Sequence, residues 1–385
     1  MPTALSDSEL LARLVSFDST SAYSNLPLVD WIADYLDRPG VRISRHPSPD
    51  QRKANLFVAL GPEGDAAREG LMLCGHLDVV PAGEGWETDP FQLTVRDDRY
   101  IARGACDMKG FVALAVNVAH ERQPERLRHP LTLLFTYDEE VGTLGARHFV
   151  ETWGEPEMLP RRTLIGEPTS LCAVRTHKGH LKLAVTLDGR AAHSAYPHLG
   201  RNAIEPAGPV LLALTELKER LARERPPGGA DFPDVPYIAC NVTRIAGGTA
   251  VNVIPERCVL DVSVRLLPGI ASQDVVDRVR SALDARLGHN AYELEVTGES
   301  PALALDERAD LFQAVRRLSR HDTHGVSFAT DGGWLQRLGL ECVVFGPGSI
   351  AVAHQPNEWV PAAELIGARE VVEQLVDRFT GEARA

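Results

Sequence analysis

Short apolar runs alternating with helix-period segments constrain this chain more than any other feature. Residues 55–60, 71–74, 131–137 and 163–165 read as strands, and 110–121 and 144–153 as helices. Strands and helices in alternation predict an α/β sheet with both faces covered. The pattern changes after about Thr176. Residues 181–187 read as a strand, and Val210, Leu214, Leu217 and Leu221 then recur at helical spacing. The segment PPGGADFPDVP is a surface loop by its Pro and Gly content, and strands at 237–245 and 257–266 follow it. A second helix places Val276, Val279, Leu283 and Leu287 on one face, with Ser272 as its expected N-cap, before a strand at 292–296. The order β-α-β-β-α-β is that of a ferredoxin-like layer. After about Glu299 the α/β character resumes: Leu311, Val315 and Leu318 share a helix face, 341–345 is a strand and 362–379 a closing helix. The expected architecture is an α/β domain over residues 1–177 and 297–385, interrupted by an α+β insert over 178–296.

At 385 residues, 44% hydrophobic and 24% charged, the chain is long enough for two such cores. No apolar run approaches the ~20 residues that span a bilayer. The opening MPTALSDSELLARLVSF lacks the cationic stretch and apolar core of a signal peptide. Cys74, Cys106, Cys172, Cys240, Cys258 and Cys342 form no CxxC pair, so reduced thiols in the cytoplasm are expected. A formal net charge of −13 argues against nucleic-acid and anionic-membrane partners.

Four motifs follow predicted strands: GHLDVVP at 75–81, GACDMKG at 104–110, YDEEVG at 137–142 and GEPT at 166–169. Ligands of open α/β sheets bind at the carboxyl ends of strands. One edge could therefore gather His76, Asp78, Asp107, Glu139, Glu140 and Glu167, with His354 of AHQPNEW in the loop after the strand at 341–345. Carboxylates converging on one cleft repel one another unless cations neutralise them. Imidazole with carboxylate is a ligand set for zinc and its neighbours. Any one of these motifs alone is weak: the chain has 13 histidines, and an adjacent DEE is more often a solvated charge run.

Taken in order, GHLDVVPAGEGWETDPF, RGACDMKGF, DEEVGTLGA, GEPT, HKGH, AAHSAYPHLGRNAI, GGTAVNVIP and GPGSIAVAHQPNEW resemble the acetylornithine deacetylase and succinyl-diaminopimelate desuccinylase family, part of a larger set of dinuclear zinc aminoacylases and carboxypeptidases. The resemblance runs from about residue 50 to 360. It implies a metallopeptidase-like catalytic domain with an inserted ferredoxin-like dimerisation (lid) domain, and two divalent ions, zinc first, with cobalt or manganese also accepted. His76, Asp107 and Glu167 would hold one ion, and Asp107, Glu140 and His354 the other, with Asp107 as the bridge. The resemblance also implies a cis peptide after Asp107. Asp78 would accept the second N–H of the His76 ring, and Glu139 would be the general base. His193 would reach the active site of a partner subunit in a homodimer formed through the insert. Asn252 and Arg265 would approach the substrate, the arginine by gripping an α-carboxylate. His180 and His198 match no such role.

The implied reaction is hydrolysis of an N-acylated amino acid, with N-acetyl-L-ornithine the leading substrate. SFATDGGW followed by the His354 motif resembles the deacetylases, and no Ser/Thr-Gly-rich loop of the desuccinylases precedes His354. Asp331 in TDGG departs from the pattern, and serving a cationic side chain is one use for it. Desuccinylation of a diaminopimelate derivative, a broader N-acyl-amino-acid hydrolase or dipeptidase, and a metal-free binding relative remain as alternatives. The last would be expected to have lost a ligand or the base, and all are present.

Overall fold

The computed structural model describes residues 4–319, 321–322 and 325–381; the expected domain limits at 1 and 385 lie outside them. The chain divides into two compact units, one of residues 1–175, 304–324 and 330–385, the other of 176–303 and 325–329.

The strands of the two main sheets, numbered in chain order, are β1 (Val41–Pro47), β2 (Ala54–Leu60), β3 (Leu71–His76), β4 (Leu131–Thr136), β5 (Arg162–Ile165), β6 (Gly179–Asp188), β7 (Ala239–Gly247), β8 (Arg257–Leu266), β9 (Glu293–Ser300) and β10 (Glu341–Val344). In the first unit the sheet order is β1-β2-β4-β3-β5-β10. β4, β3, β5 and β10 run parallel, whereas β2 is antiparallel to β4 and β1 to β2. The sheet is therefore mixed. β3 and β4 are buried at every residue, which is why they read as continuous apolar runs rather than alternating ones. The Gly110–Glu121 helix is buried at every residue but its last. It packs against β3 and β4 and is covered by the Asp7–Val15 and Ala362–Thr380 helices, so it is apolar all round.

The second unit is built on the antiparallel sheet β7-β8-β6-β9, with the Ala207–Arg223 and Ser272–Leu287 helices. β8 alternates buried and part-exposed residues, and Val262, Val264 and Leu266 enter the same core as Val210, Leu214 and Leu217 of the first helix and Val276 and Val279 of the second. Ser272 is not the N-cap. It is the first helical residue, after extended Ala271, and its hydroxyl donates to Glu299 Oε1 at 2.8 Å. Capping would use the hydroxyl as an acceptor for a backbone N–H; here it donates instead to the Glu299 carboxylate of β9.

Candidate metal centre

Each parallel strand of the first unit delivers a functional residue at its carboxyl end. His76 is the last residue of β3; Glu139 and Glu140 follow β4 after Asp138, whose φ is 54°; Glu167 follows β5; and His354, at φ 63°, lies in the loop after β10. Gly166, just before Glu167, is required by space: a Cβ there would sit 1.9 Å from the Phe111 ring.

Asp107 arrives by a different route. The strand before it, Arg99–Ile101, belongs to a small sheet with Thr94–Arg96 and Trp359–Pro361 rather than to the main sheet. Asp107 instead sits in the turn entering the Gly110–Glu121 helix, because that helix lies along the sheet with its N-terminus at the strands' carboxyl ends. The Asp107–Met108 peptide is cis.

These side chains converge. Asp107 Oδ1 lies 3.0 Å from His76 Nε2, and Asp107 Oδ2 lies 3.3 Å from His354 Nε2. His354 Nε2 is also 3.0 Å from Glu140 Oε2, and His76 Nε2 is 3.8 Å from Glu167 Oε1. Ligand atoms of His76, Glu139 and Glu167 fall within 4.8 Å of one another, as do those of His76, Asp107 and Glu140. Neighbouring Glu139 and Glu140 thus fall in different groupings, Glu139 with Glu167 and Glu140 with Asp107. This grouping draws Glu139 in beside His76, where the resemblance leaves it free as a base.

The role expected of Asp78 differs in detail. His76 Nδ1 lies 2.9 Å from the main-chain carbonyl of Asp78, while the carboxylate is 3.8 Å away. A carbonyl can only accept, so Nδ1 carries the hydrogen and Nε2 faces Asp107. The Asp78 carboxylate accepts instead from Ser21 Oγ at 2.7 Å and from the N–H groups of Glu139 and Glu140 at 3.0 and 3.3 Å. It holds the turn that presents both glutamates.

Burial sets the electrostatics. It lifts Glu139 well above the usual carboxylate range, reinforced by Glu167, and lifts Glu167 likewise, reinforced by Asp107. Burial and the Asp107 charge bring Glu140 up to about 7, and burial brings Asp331 to about 6. Burial also opposes ionisation of Asp107, but hydrogen bonds from His354 and His76 outweigh it and hold this carboxyl below its ordinary value. Those bonds with Asp107 and Glu140 raise His354 to about 10. His76 also rises, against its own burial, through Asp107 and Glu167. The cluster contains more carboxylate than two imidazolium rings neutralise. Divalent cations meet that demand, and the oxygen and imidazole donors suit zinc and its neighbours. The residues fit a metal pair.

Several residues around the centre, apart from Asp331, carried no sequence assignment. Glu358, four places after His354, and Arg103 form a buried ion pair of 2.5 Å, and Glu358 Oε1 accepts the N–H of Asp107 at 3.0 Å. Their signal lay inside quoted motifs, RGACDMKGF and AHQPNEW. Lys53 donates to Asp138 and to the Ser21 carbonyl, a tie with no sequence signal at all. Asp331 is only 2% exposed, with one oxygen accepting from Thr136 Oγ1 at 2.6 Å and the other without a partner among the described residues.

His193, Asn252 and Arg265 belong to the second unit. His193 and Asn252 are exposed and adjacent: Ala192–His193 pairs with Val253–Ile254, and Ser194 N–H donates to the Asn252 carbonyl at 2.9 Å. Arg265 is half-buried on β8, opposite His180 of β6, and its guanidinium has no hydrogen-bond or ion-pair partner among the described residues. His180 is bonded to Ser263 Oγ at 2.9 Å and pushed down to about 4 by burial and by Arg265.

No helix of the described residues is long and apolar enough to cross a membrane. The chain is 38% identical to an acetylornithine deacetylase of Myxococcus xanthus, over 96% of this chain and 97% of that one, and 35% identical to one of Proteus mirabilis, over 96% of each. Among solved structures, an M20 family metallo-carboxypeptidase of Sulfolobus solfataricus superposes with a TM-score of 0.79 at 18% identity, covering 98% of this chain and 99% of that one. The family model described as Peptidase family M20/M25/M40 matches residues 72–378. With that match over most of its length, the chain belongs to peptidase family M20/M25/M40.

Proposed function

We propose that this chain is a two-metal amide hydrolase that converts N-acetyl-L-ornithine to L-ornithine and acetate. One observation carries the chemistry: the Asp107 carboxylate turns one oxygen to His76 and the other to His354, with Glu167 beside the first histidine and Glu140 beside the second. The substrate rests on whole-length likeness to acetylornithine deacetylases. In this reading His76, Asp107 and Glu167 hold one cation, and Asp107, Glu140 and His354 the other. Two zinc ions, or cobalt or manganese in their place, would supply Lewis acidity and an acidified water.

The chain's own residues then divide the work. Glu139, with the proton affinity that burial gives it, takes a proton as water oxygen attacks the amide carbonyl carbon. It returns that proton to the amine nitrogen as the C–N bond breaks. The Asp78 carboxylate fixes the Glu139 backbone, and the Asp78 carbonyl fixes the tautomer of His76. Arg265 takes the α-carboxylate bidentately, and Asn252 lines the substrate's approach. His193 donates to the developing oxyanion from the partner of a homodimer. Exposed Tyr196, Leu199, Ile204 and Val251 support a partner surface on the second unit. Six free cysteines support a reducing cytoplasm.

The deciding experiment measures kcat/KM for N-acetylated ornithine, citrulline and methionine beside N-succinyl-diaminopimelate. Acetylornithine should lead, chelation should abolish turnover, and zinc or cobalt should restore it. A lead for the succinylated compound would remove the substrate and leave the hydrolase; activity indifferent to chelation would remove both.

A further inference from the structure

The segment that carries His354 also carries a buried carboxylate tied to three other groups. Glu358 is 1% exposed. Its Oε1 accepts from the main-chain N–H groups of Cys106 at 2.9 Å and Asp107 at 3.0 Å, while its Oε2 meets Arg103 Nη1 at 2.5 Å. Arg103, equally buried, spends its other terminal nitrogen on the carbonyls of Pro81 at 3.3 Å and Ala82 at 3.2 Å, and its guanidinium lies 5.2 Å from the Trp86 ring centroid. Asn357, next in the chain, accepts the Glu87 N–H at 2.9 Å. Three stretches that each carry a candidate ligand are thereby joined: 76–82 with His76, 103–107 with Asp107, and 354–358 with His354.

We propose that the Glu358–Arg103 pair is the positioning device of the metal pair, setting where the bridging carboxylate of Asp107 stands relative to the two histidines. This deepens the two-metal reading and rests on it. The geometry favours positioning over mere packing. A buried ion pair is weak support for a fold, since apolar residues of like volume often replace one without loss. What apolar residues cannot replace is an acceptor for the Cys106 and Asp107 N–H groups, which orient the turn that ends in the bridging side chain. Glu358 supplies the acceptor, and Arg103 holds Glu358 in place.

The test titrates the metal-free full-length protein with cobalt, following visible absorption, alongside thermal unfolding. Glu358→Gln keeps one acceptor but sets its amide nitrogen donor-to-donor against Arg103. Its cobalt affinity should fall about 10–100-fold, with an altered cobalt spectrum, the usual cost of losing a residue that orients a ligand. The double variant Arg103→Met/Glu358→Leu guards against simple misfolding. It should stay folded and unfold at a higher temperature than Arg103→Met alone, which leaves the Glu358 charge buried and unpaired, but should not regain the wild-type cobalt affinity. A folded variant of either kind with wild-type affinity and spectrum overturns the positioning role alone. Wild-type protein that takes up no cobalt, zinc or manganese sinks the two-metal reading, and this inference with it.

Discussion

The functional residues of the two units sit in opposite physical situations. At the carboxyl edge of the first sheet, Asp107, Glu167 and His76 are almost completely buried and pressed against one another. On the second unit, His193 and Asn252 stand in solvent and Arg265 is half-buried. The first group is crowded with charge of one sign and calls for small cations. The second is sparsely paired: the Arg265 guanidinium has no partner among the described residues, and His193 only accepts the Ala195 N–H at Nδ1, 3.1 Å away. In the proposed function a metal pair would complete the first, and an anionic substrate or its transition state the second.

The sharpest way to break this contrast is Glu139→Gln. If Glu139 is a base rather than a ligand, the variant should retain both metals and lose about 10²–10⁴ in kcat. Metal analysis beside kinetics decides it, because loss of metal would exchange the roles of Glu139 and Glu140. Next in size is His193→Ala, where removing one oxyanion donor should cost about 10²–10³ in kcat. Mixing His193→Ala with Glu139→Gln subunits should restore activity if the histidine serves a partner's site. Verified heterodimers that stay inactive would return His193 to its own subunit or to no role.

Acidity separates the units by sign. His177, in the second unit, is fully buried and pushed down to about 4 by burial. Folding keeps it neutral, so its contribution is present above the unfolded pKa near ~6.5 and is lost as pH falls towards 4, up to about 3 kcal/mol. Glu140, in the first unit, is raised to about 7. Without metal the folded state binds the extra proton between the unfolded value near ~4.5 and 7, so stability there falls as pH rises. Metal-free protein should show both trends in denaturant melts against pH. His177→Gln should flatten the acid limb, and added zinc should flatten the other; limbs of the same sign would contradict the burial argument. The smallest effect is Arg265→Ala, about 10–100-fold in kcat/KM through a lost charge-assisted contact. Substrates amidated at the α-carboxyl should show the same deficit with the unaltered enzyme and no further loss with the variant.

What could be read from the residues tracks what each depends on. The order of elements in both units followed from apolar periodicity, and His76, Glu139, Glu140 and Glu167 were reachable because they sit at strand ends. Asp107 was placed after a strand by analogy with the others, whereas a buried helix delivers it from a different direction. No local pattern shows where a helix lies on a sheet. Ser272 looked like a cap because capping is local, and it lost to Glu299, which only the folded sheet brings near. Glu358, Arg103 and Lys53 escaped for the same reason: the Lys53–Asp138 and Arg103–Glu358 pairs join residues 85 and 255 places apart in the chain.

The pairing of β5 with β10 has a consequence for how the protein is made. Arg162 pairs with Glu341, and nearly all of the second unit is encoded between them. During synthesis, at about 5–20 residues per second, units tend to fold as they emerge. The insert can close its four strands while the first sheet still lacks an edge. His354 and Glu358 leave the ribosome later still. Of the two proposed cation sites, the one that needs His354 is therefore completed only among the last events in the life of the nascent chain, whereas the His76, Asp107 and Glu167 ligands of the other are made before the insert.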